Sequence, residues 1–229
     1  MMAQHNRLIL SMLSALLDYP DQALLDSLGE IRATLGEAGA LPPGVRANLG
    51  TLIDQLSVRT LIESQEYYVD TFDRSRTASL YLFEHVHGES RERGQAMVDL
   101  LTTYEAHGLT LSNGELPDYL PVFLEFLAQL EHDEARGLLG EISHIVSNLA
   151  NSLSDLDTPY AAAVDAVLAL AGEVRQPGGA AQTASEPGEP DHEALDREWE
   201  EPPVSFLGAP GALGTTPQPV HFYEKRPAR

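Results

Sequence analysis

Apolar residues recur every three or four positions over the first three-quarters of the chain, the spacing of one buried face per helix. Leu8, Ile9, Met12, Leu13, Leu16 and Leu17 form the first such stripe, which stops at Tyr19-Pro20. Pro20 suits the first turn of a second helix carrying Leu24, Leu25, Leu28, Ile31 and Leu35. Pro42-Pro43 opens a third, with Val45, Leu49, Leu52, Ile53 and Leu56. A fourth holds Leu61, Ile62, Tyr68, Val69 and Phe72, and Thr60 with Glu63 has the spacing of a capping box near its start. A fifth is predicted from about Thr77 to His87, stopped by Gly88. Met97, Leu100, Leu101 and Tyr104 mark a sixth that ends at Gly108.

The seventh stripe is the most apolar. Pro121 belongs in its first turn, because an interior proline removes a backbone hydrogen bond and clashes with the preceding turn. Asp118 is then the predicted N-cap. Tyr119, Leu120, Phe123, Leu124, Phe126, Leu127 and Leu130 sweep about 160° of the helix surface, and Glu125 and Gln129 lie on the remaining strip. Such a helix belongs at the centre of a bundle. Leu138, Leu139, Ile142, Ile145, Val146, Leu149 and Leu153 form an eighth stripe. The ninth opens at Thr158-Pro159 and carries Val164, Val167, Leu168 and Leu170. No strand alternation of useful length and no internal repeat is visible. The predicted fold is all-α: a single helical bundle domain of about nine helices over residues 1–172.

Composition changes the picture beyond Gly172. Residues 173–229 hold nine of the 15 prolines and six of the 18 glycines, and acids cluster from Glu186 to Glu201. Such a segment cannot repay its ordering entropy by apolar burial. We expect a disordered, acidic, Pro/Gly-rich tail there.

Charge narrows the partners. The 35 acids against 14 bases give −21, the opposite of the basic footprint that nucleic acid requires. An anionic membrane surface is disfavoured for the same reason, and a basic or apolar peptide fits better. The absence of cysteine excludes disulfides, thiol catalysis and Cys-ligated metal. The opening MMAQHNRLIL does not read as a secretory signal, and no apolar run reaches the ~18–20 residues of a membrane span. The expectation is a soluble cytoplasmic protein without direct membrane insertion.

Candidate chemistry is sparse. The chain lacks a phosphate-binding glycine loop, a zinc-protease helix and a nucleophile elbow. His85 and His87 stand about 200° apart on a regular helix and do not chelate one metal. No catalytic residue and no metal ligand is assigned. On the predicted fifth helix Tyr81, Glu84 and His85 share a face, as either a solvated surface or a polar lip for a ligand, while Leu82, Phe83 and Val86 point to the core. Asp118 serves as an N-cap, which leaves ligand contact open. Arg74 and Arg76 read as structural ion-pair partners or as carboxylate binders. Trp199, within Trp-Glu-Glu-Pro-Pro-Val-Ser-Phe, is either spacer or a short docking motif.

The stretch YYVDTFDRSRTASLYLFEHVHGESRERGQAMVDLL at 67–101, followed by GLTLSNGELPDYLPVFLEFL at 108–127, closely resembles the NarJ-type nitrate reductase molybdenum cofactor assembly chaperones. The opening LSALLDYPDQALL is similar to that family too, and the likeness covers about residues 8–170. The resemblance implies an all-helical cytoplasmic member of the redox-enzyme maturation group. It implies binding to the catalytic (alpha) subunit of respiratory nitrate reductase, including its N-terminal segment. The apo-subunit would be held from its membrane anchor until bis-molybdopterin guanine dinucleotide is inserted, with no cofactor bound stably by the chaperone. In the wider group an acidic-proline-Asp-His stretch lies near the peptide groove. Glu115, Pro117 and Asp118 match it, whereas Tyr119 stands where that group often has His. The expected peptide-binding residues are Tyr81, Glu84, His85, Glu115, Asp118 and Tyr119. Two other readings remain: a helical adaptor that binds partners through its acidic tail, and an enzyme using Tyr81, Glu84, His85 and Asp118 for acid–base chemistry.

Overall fold

The structure is a computed structural model, and it describes residues 2–87, 91–111 and 114–176. The predicted tail lies outside the described residues apart from 173–176, as do Gly88 and Trp199. Helices α1 (Met2–Leu17), α2 (Gln22–Glu37), α3 (Pro43–Ser57) and α4 (Leu61–Phe72) begin the chain. After a 3-10 turn at Arg76–Ala78 come α5 (Glu84–His87), α6 (Arg91–Ala106), α7 (Leu120–Gln129), α8 (His132–Asp155) and α9 (Ala161–Ala171).

Local chemistry explains most boundaries. The Asp21 carboxylate accepts from the Leu24 N–H and caps α2, so Pro20 lies before the cap and not inside the first turn. Pro43 occupies the first position of α3. Thr60 and Glu63 form the reciprocal capping box of α4, and those bonds hold the Glu63 carboxyl below its ordinary value. Gly172 closes α9 with φ +83, a left-handed conformation that glycine adopts without strain.

Helix α7 is largely buried, as its apolar sweep predicts. Leu120, Leu124 and Leu127 are fully buried, while Glu125 and Gln129 face outward. It packs chiefly on α1, and the Ser14 hydroxyl donates to the Pro121 carbonyl at 2.7 Å across that contact. Helices α8 and α9 pack on each other, and α9 also meets α3 and α1. Residues 173–176, assigned by composition to the tail, run back over this pair. Arg175 pairs with Asp165, and the Gln176 N–H donates to Ser147 Oγ at 3.0 Å. These polar contacts tie residues 175–176 to α8 and α9, although 173, 174 and 176 are exposed.

Two expectations fail around residue 80. The fifth helix is not continuous. Residues 79–83 are extended or turned, and Tyr81 forms an isolated antiparallel bridge with Tyr119. Only Glu84–His87 makes a helical turn. The reason is backbone pairing: the Leu82 N–H donates to the Asp118 carbonyl at 2.9 Å, and the Leu120 N–H to the Leu80 carbonyl at 2.8 Å. Leu80 and Leu82 are buried on one side of this short ladder, whereas Phe83 is half-buried and Val86 is 47% exposed. Of the apolar residues expected on the core side, Leu80 and Leu82 are buried, Phe83 packs partly buried against the core, and Val86 does not. Second, Asp118 is not the N-cap of α7. Tyr119 takes that position without a side-chain cap bond.

Candidate functional site

The ladder at Tyr81 and Tyr119 sets the site. By fixing 79–82 against 118–120 it brings two distant stretches of sequence to one surface. Beside it lie two clefts of about 400 and 310 Å³ that share Asp18, Glu115 and Tyr119. The first is lined by Tyr19, Tyr68, Phe72, Tyr81 and Glu84. The second runs along α6 and α7 and is lined by Tyr104, Leu109, Leu111, Val122 and Phe126. Together they form a groove with an aromatic and aliphatic floor. Among the described residues its acids are Asp18, Asp73, Glu84, Glu115 and Glu125, and the lining guanidinium is that of Arg76.

Tyr119 is the hinge between the clefts. Its ring lies 5.2 Å from that of Tyr81. Its hydroxyl is 2.7 Å from the Tyr68 hydroxyl and donates to Asp18 Oδ1 at 3.2 Å. Tyr68 also reaches the Leu17 carbonyl at 3.0 Å, at the exposed-carbonyl end of α1. Burial raises the pKa of both phenols far above its ordinary value, so both stay neutral donors. Tyr81 is raised as well, by burial first and by Glu115 next.

The predicted residues separate into two groups. Tyr81, Glu84, Glu115 and Tyr119 line the groove. Asp118 and His85 do not. Asp118 is fully buried beneath it: its Oδ2 accepts from the Phe83 N–H at 3.1 Å and lies 3.8 Å from Arg93 Nη2. Burial pushes its carboxyl up, partly offset by Phe83 and Arg93. Asp118 thus ties the 80–84 stretch to the start of α7 and presents no surface to a ligand. His85 turns back on its own segment, with Nε2 2.8 Å from the Ser79 carbonyl. The shared face of Tyr81, Glu84 and His85 is lost because no regular helix carries them. Glu84 instead accepts from the Ser79 hydroxyl and pairs with Arg93 at 3.3 Å. Arg74 forms an i,i+4 ion pair with Asp70 at 2.8 Å.

Asp18, Tyr19, Tyr68 and Glu125 were missed. Asp18 carried a readable signal. A carboxylate just past the C-terminus of α1 opposes the helix dipole, so its position calls for a partner or a ligand. Among the described residues no group of three His, Cys, Asp or Glu side chains is placed to hold a metal ion. Among them, too, no helix is long and apolar enough to cross a membrane.

Comparison with known proteins follows the same lines. Residues 38–166 match the family described as nitrate reductase delta subunit. The chain is 41% identical over 203 residues to the nitrate reductase molybdenum cofactor assembly chaperone NarJ of Escherichia coli K12, covering 88% of this chain and 86% of that one. It is 35% identical over 159 residues to the probable chaperone of the same name from Bacillus subtilis, covering 69% and 85%. The crystal structure of a putative redox enzyme maturation protein from Archaeoglobus fulgidus superposes with a TM-score of 0.52 at 23% identity, over 70% of this chain and 90% of that one. That last likeness supports the fold.

Proposed function

The chain belongs to the nitrate reductase delta subunit family, that of the NarJ-type assembly chaperones, and on that premise we propose that it is a dedicated chaperone for nitrate reductase maturation. It binds the apo catalytic subunit through that subunit's N-terminal segment. It holds the subunit in the cytoplasm while bis-molybdopterin guanine dinucleotide is inserted, before membrane anchoring. It performs no chemistry on its client and keeps no cofactor of its own.

The observation that carries this reading is the groove at the Tyr81–Tyr119 ladder. An amphipathic peptide helix buries its apolar face in a groove of this kind. The apolar floor at Leu109, Leu111, Val122 and Phe126 supplies burial, and the five carboxylates complement a basic segment. Tyr81, Glu84, Glu115 and Tyr119 are the proposed contacts. Asp118 and His85 act behind them, by holding the lip in place.

Calorimetric titration of a synthetic peptide of the catalytic subunit's N-terminal segment tests the reading. Affinity is expected to fall with added salt without vanishing, because exposed charge pairs are screened beyond about 8 Å at physiological ionic strength whereas apolar burial is not. A chain ending at Gln176 is expected to bind as the full chain does. Binding lost on that truncation would favour instead the adaptor that works through its acidic tail.

A further inference from the structure

Behind the groove lip one guanidinium faces two carboxylates and satisfies neither fully. Arg93 is 21% exposed and stands in the first turn of α6. Its Nη1 lies 3.3 Å from Glu84 Oε1, and its Nη2 lies 3.8 Å from Asp118 Oδ2, beyond hydrogen-bond reach. Two atoms of this trio are buried without a hydrogen-bond partner: Arg93 Nε and Asp118 Oδ1. Leaving such groups unpaired costs more than an ordinary hydrogen bond returns. The two orphans belong to one pair of side chains. A fork-to-fork arrangement, Nε and Nη2 on the two Asp118 oxygens, would satisfy both at once. A movement of roughly 1 Å brings Nη2 into charge-assisted range. Glu84 holds the guanidinium away from that arrangement. Its other oxygen accepts from Ser79, and its side chain lines the groove.

We propose that Arg93 is a two-position guanidinium that stands in for a client cation on Glu84, and that a cationic side chain of the client takes Glu84 and releases Arg93 onto Asp118. This rests on the groove reading above for the client's location. Arg93 thereby determines specificity: an incoming ammonium or guanidinium must displace it, and a neutral side chain does not. The exchange draws the first turn of α6 toward Asp118. Tyr104, farther along the same helix, lines the second cleft and donates to the Pro117 carbonyl at 2.7 Å. Occupancy of Glu84 in one cleft is thus linked through α6 to the shape of the other.

The Nε–H resonance of Arg93, followed by NMR on the full chain, tests both steps. Without peptide, Glu84→Gln is expected to release Arg93. Its Nε–H should then exchange with water about tenfold more slowly than in the wild type, the effect of a new charge-assisted hydrogen bond. Asp118→Asn combined with Glu84→Gln should abolish that slowing. In the wild type, the catalytic-subunit peptide should produce the same slowing, and the peptide with its lysines and arginines replaced by glutamine should not. An Arg93 signal indifferent to Glu84→Gln overturns the two-position exchange. Peptide that binds while the Arg93 signal stays unchanged overturns the coupling to the client and leaves the groove reading standing. Peptide that fails to bind overturns the groove reading, and the Glu84→Gln comparison still decides whether Arg93 moves.

Discussion

Helix α7 and the stretch just before it are adjacent in sequence and opposite in character. From Leu120 onward the chain obeys the helical period: Leu120, Leu124 and Leu127 are fully buried and Glu125 faces out. From Glu115 to Tyr119 it obeys pairing with a distant segment, residues 80–82, through two backbone hydrogen bonds and a buried carboxylate. The first region is held by apolar area, which tolerates no polar group without a partner. The second is held by hydrogen bonds among Asp118, Phe83, Tyr119, Tyr68 and Asp18. On the proposed reading, stability and binding are therefore carried by neighbouring residues. Substitutions at the fully buried leucines of α7 should act on folding, whereas substitutions at the ladder should act on the groove.

Leu124→Ala should produce the largest effect. Removing a fully buried leucine costs about 2–5 kcal/mol, a large part of a typical domain's stability. Denaturant unfolding measures the loss, and the molecules that remain folded should bind client peptide as the wild type does. Reduced affinity per folded molecule would blur the comparison. Tyr119→Phe should cost less, about 1 kcal/mol, since it deletes a hydroxyl that joins Tyr68 to Asp18. It should also leave the ring over Tyr81 in place, so the peptide affinity should change less than for Tyr119→Ala.

Asp118→Asn should alter the pH dependence of stability. A carboxyl held above its ordinary value binds its proton more tightly in the folded state than in the unfolded one. Its contribution favours folding at acid pH and is lost as pH rises from 3.8 through the folded-state value. Unfolding midpoints compared across that range should show wild type declining relative to the variant. Parallel curves would mean that burial does not act on this group as described. His107 gives the smallest effect. Both ring nitrogens face acceptors, the Thr103 carbonyl and the Glu134 carboxylate, and the imidazolium is favoured. That contribution is fully present below pH 6.5 and is lost as pH rises through the raised folded value. His107→Gln should flatten a shallow slope in melting temperature above pH 6.5, because the site is exposed and screened.

The contrast also explains which parts of the molecule are readable from sequence. Caps, prolines and apolar stripes are local: Thr60 needs Glu63 three residues on, and α7 needs only its own period. The ladder is not local. Nothing between Ser79 and His87 announces that its backbone will pair with residues 118–120, so the apolar residues there read as a helix. A signal was present nonetheless. Leu80 and Leu82 flank Tyr81 with period two, and both leucines are buried while Tyr81 is not. Tyr81, Glu84, Glu115 and Tyr119 are brought together at the groove. Asp118 and His85 were misplaced because their neighbours, Phe83 and Ser79, become partners only once the ladder forms. Asp18 and Tyr68 join the site across about 100 and 50 positions from Tyr119, a separation that no local spacing reports.

The central claim is that the groove centred on Asp18, Glu115 and Tyr119 receives a basic segment of the client. Glu115→Lys tests it most directly. Glu115 is exposed, so folding should change by no more than about 0.5 kcal/mol, yet the new charge stands where both clefts meet. Calorimetric titration of the catalytic-subunit peptide at low salt should show affinity at least tenfold weaker than for the wild type, the equivalent of about 1.4 kcal/mol. Wild-type affinity in a normally folded Glu115→Lys protein would contradict the account and place the client elsewhere on the bundle.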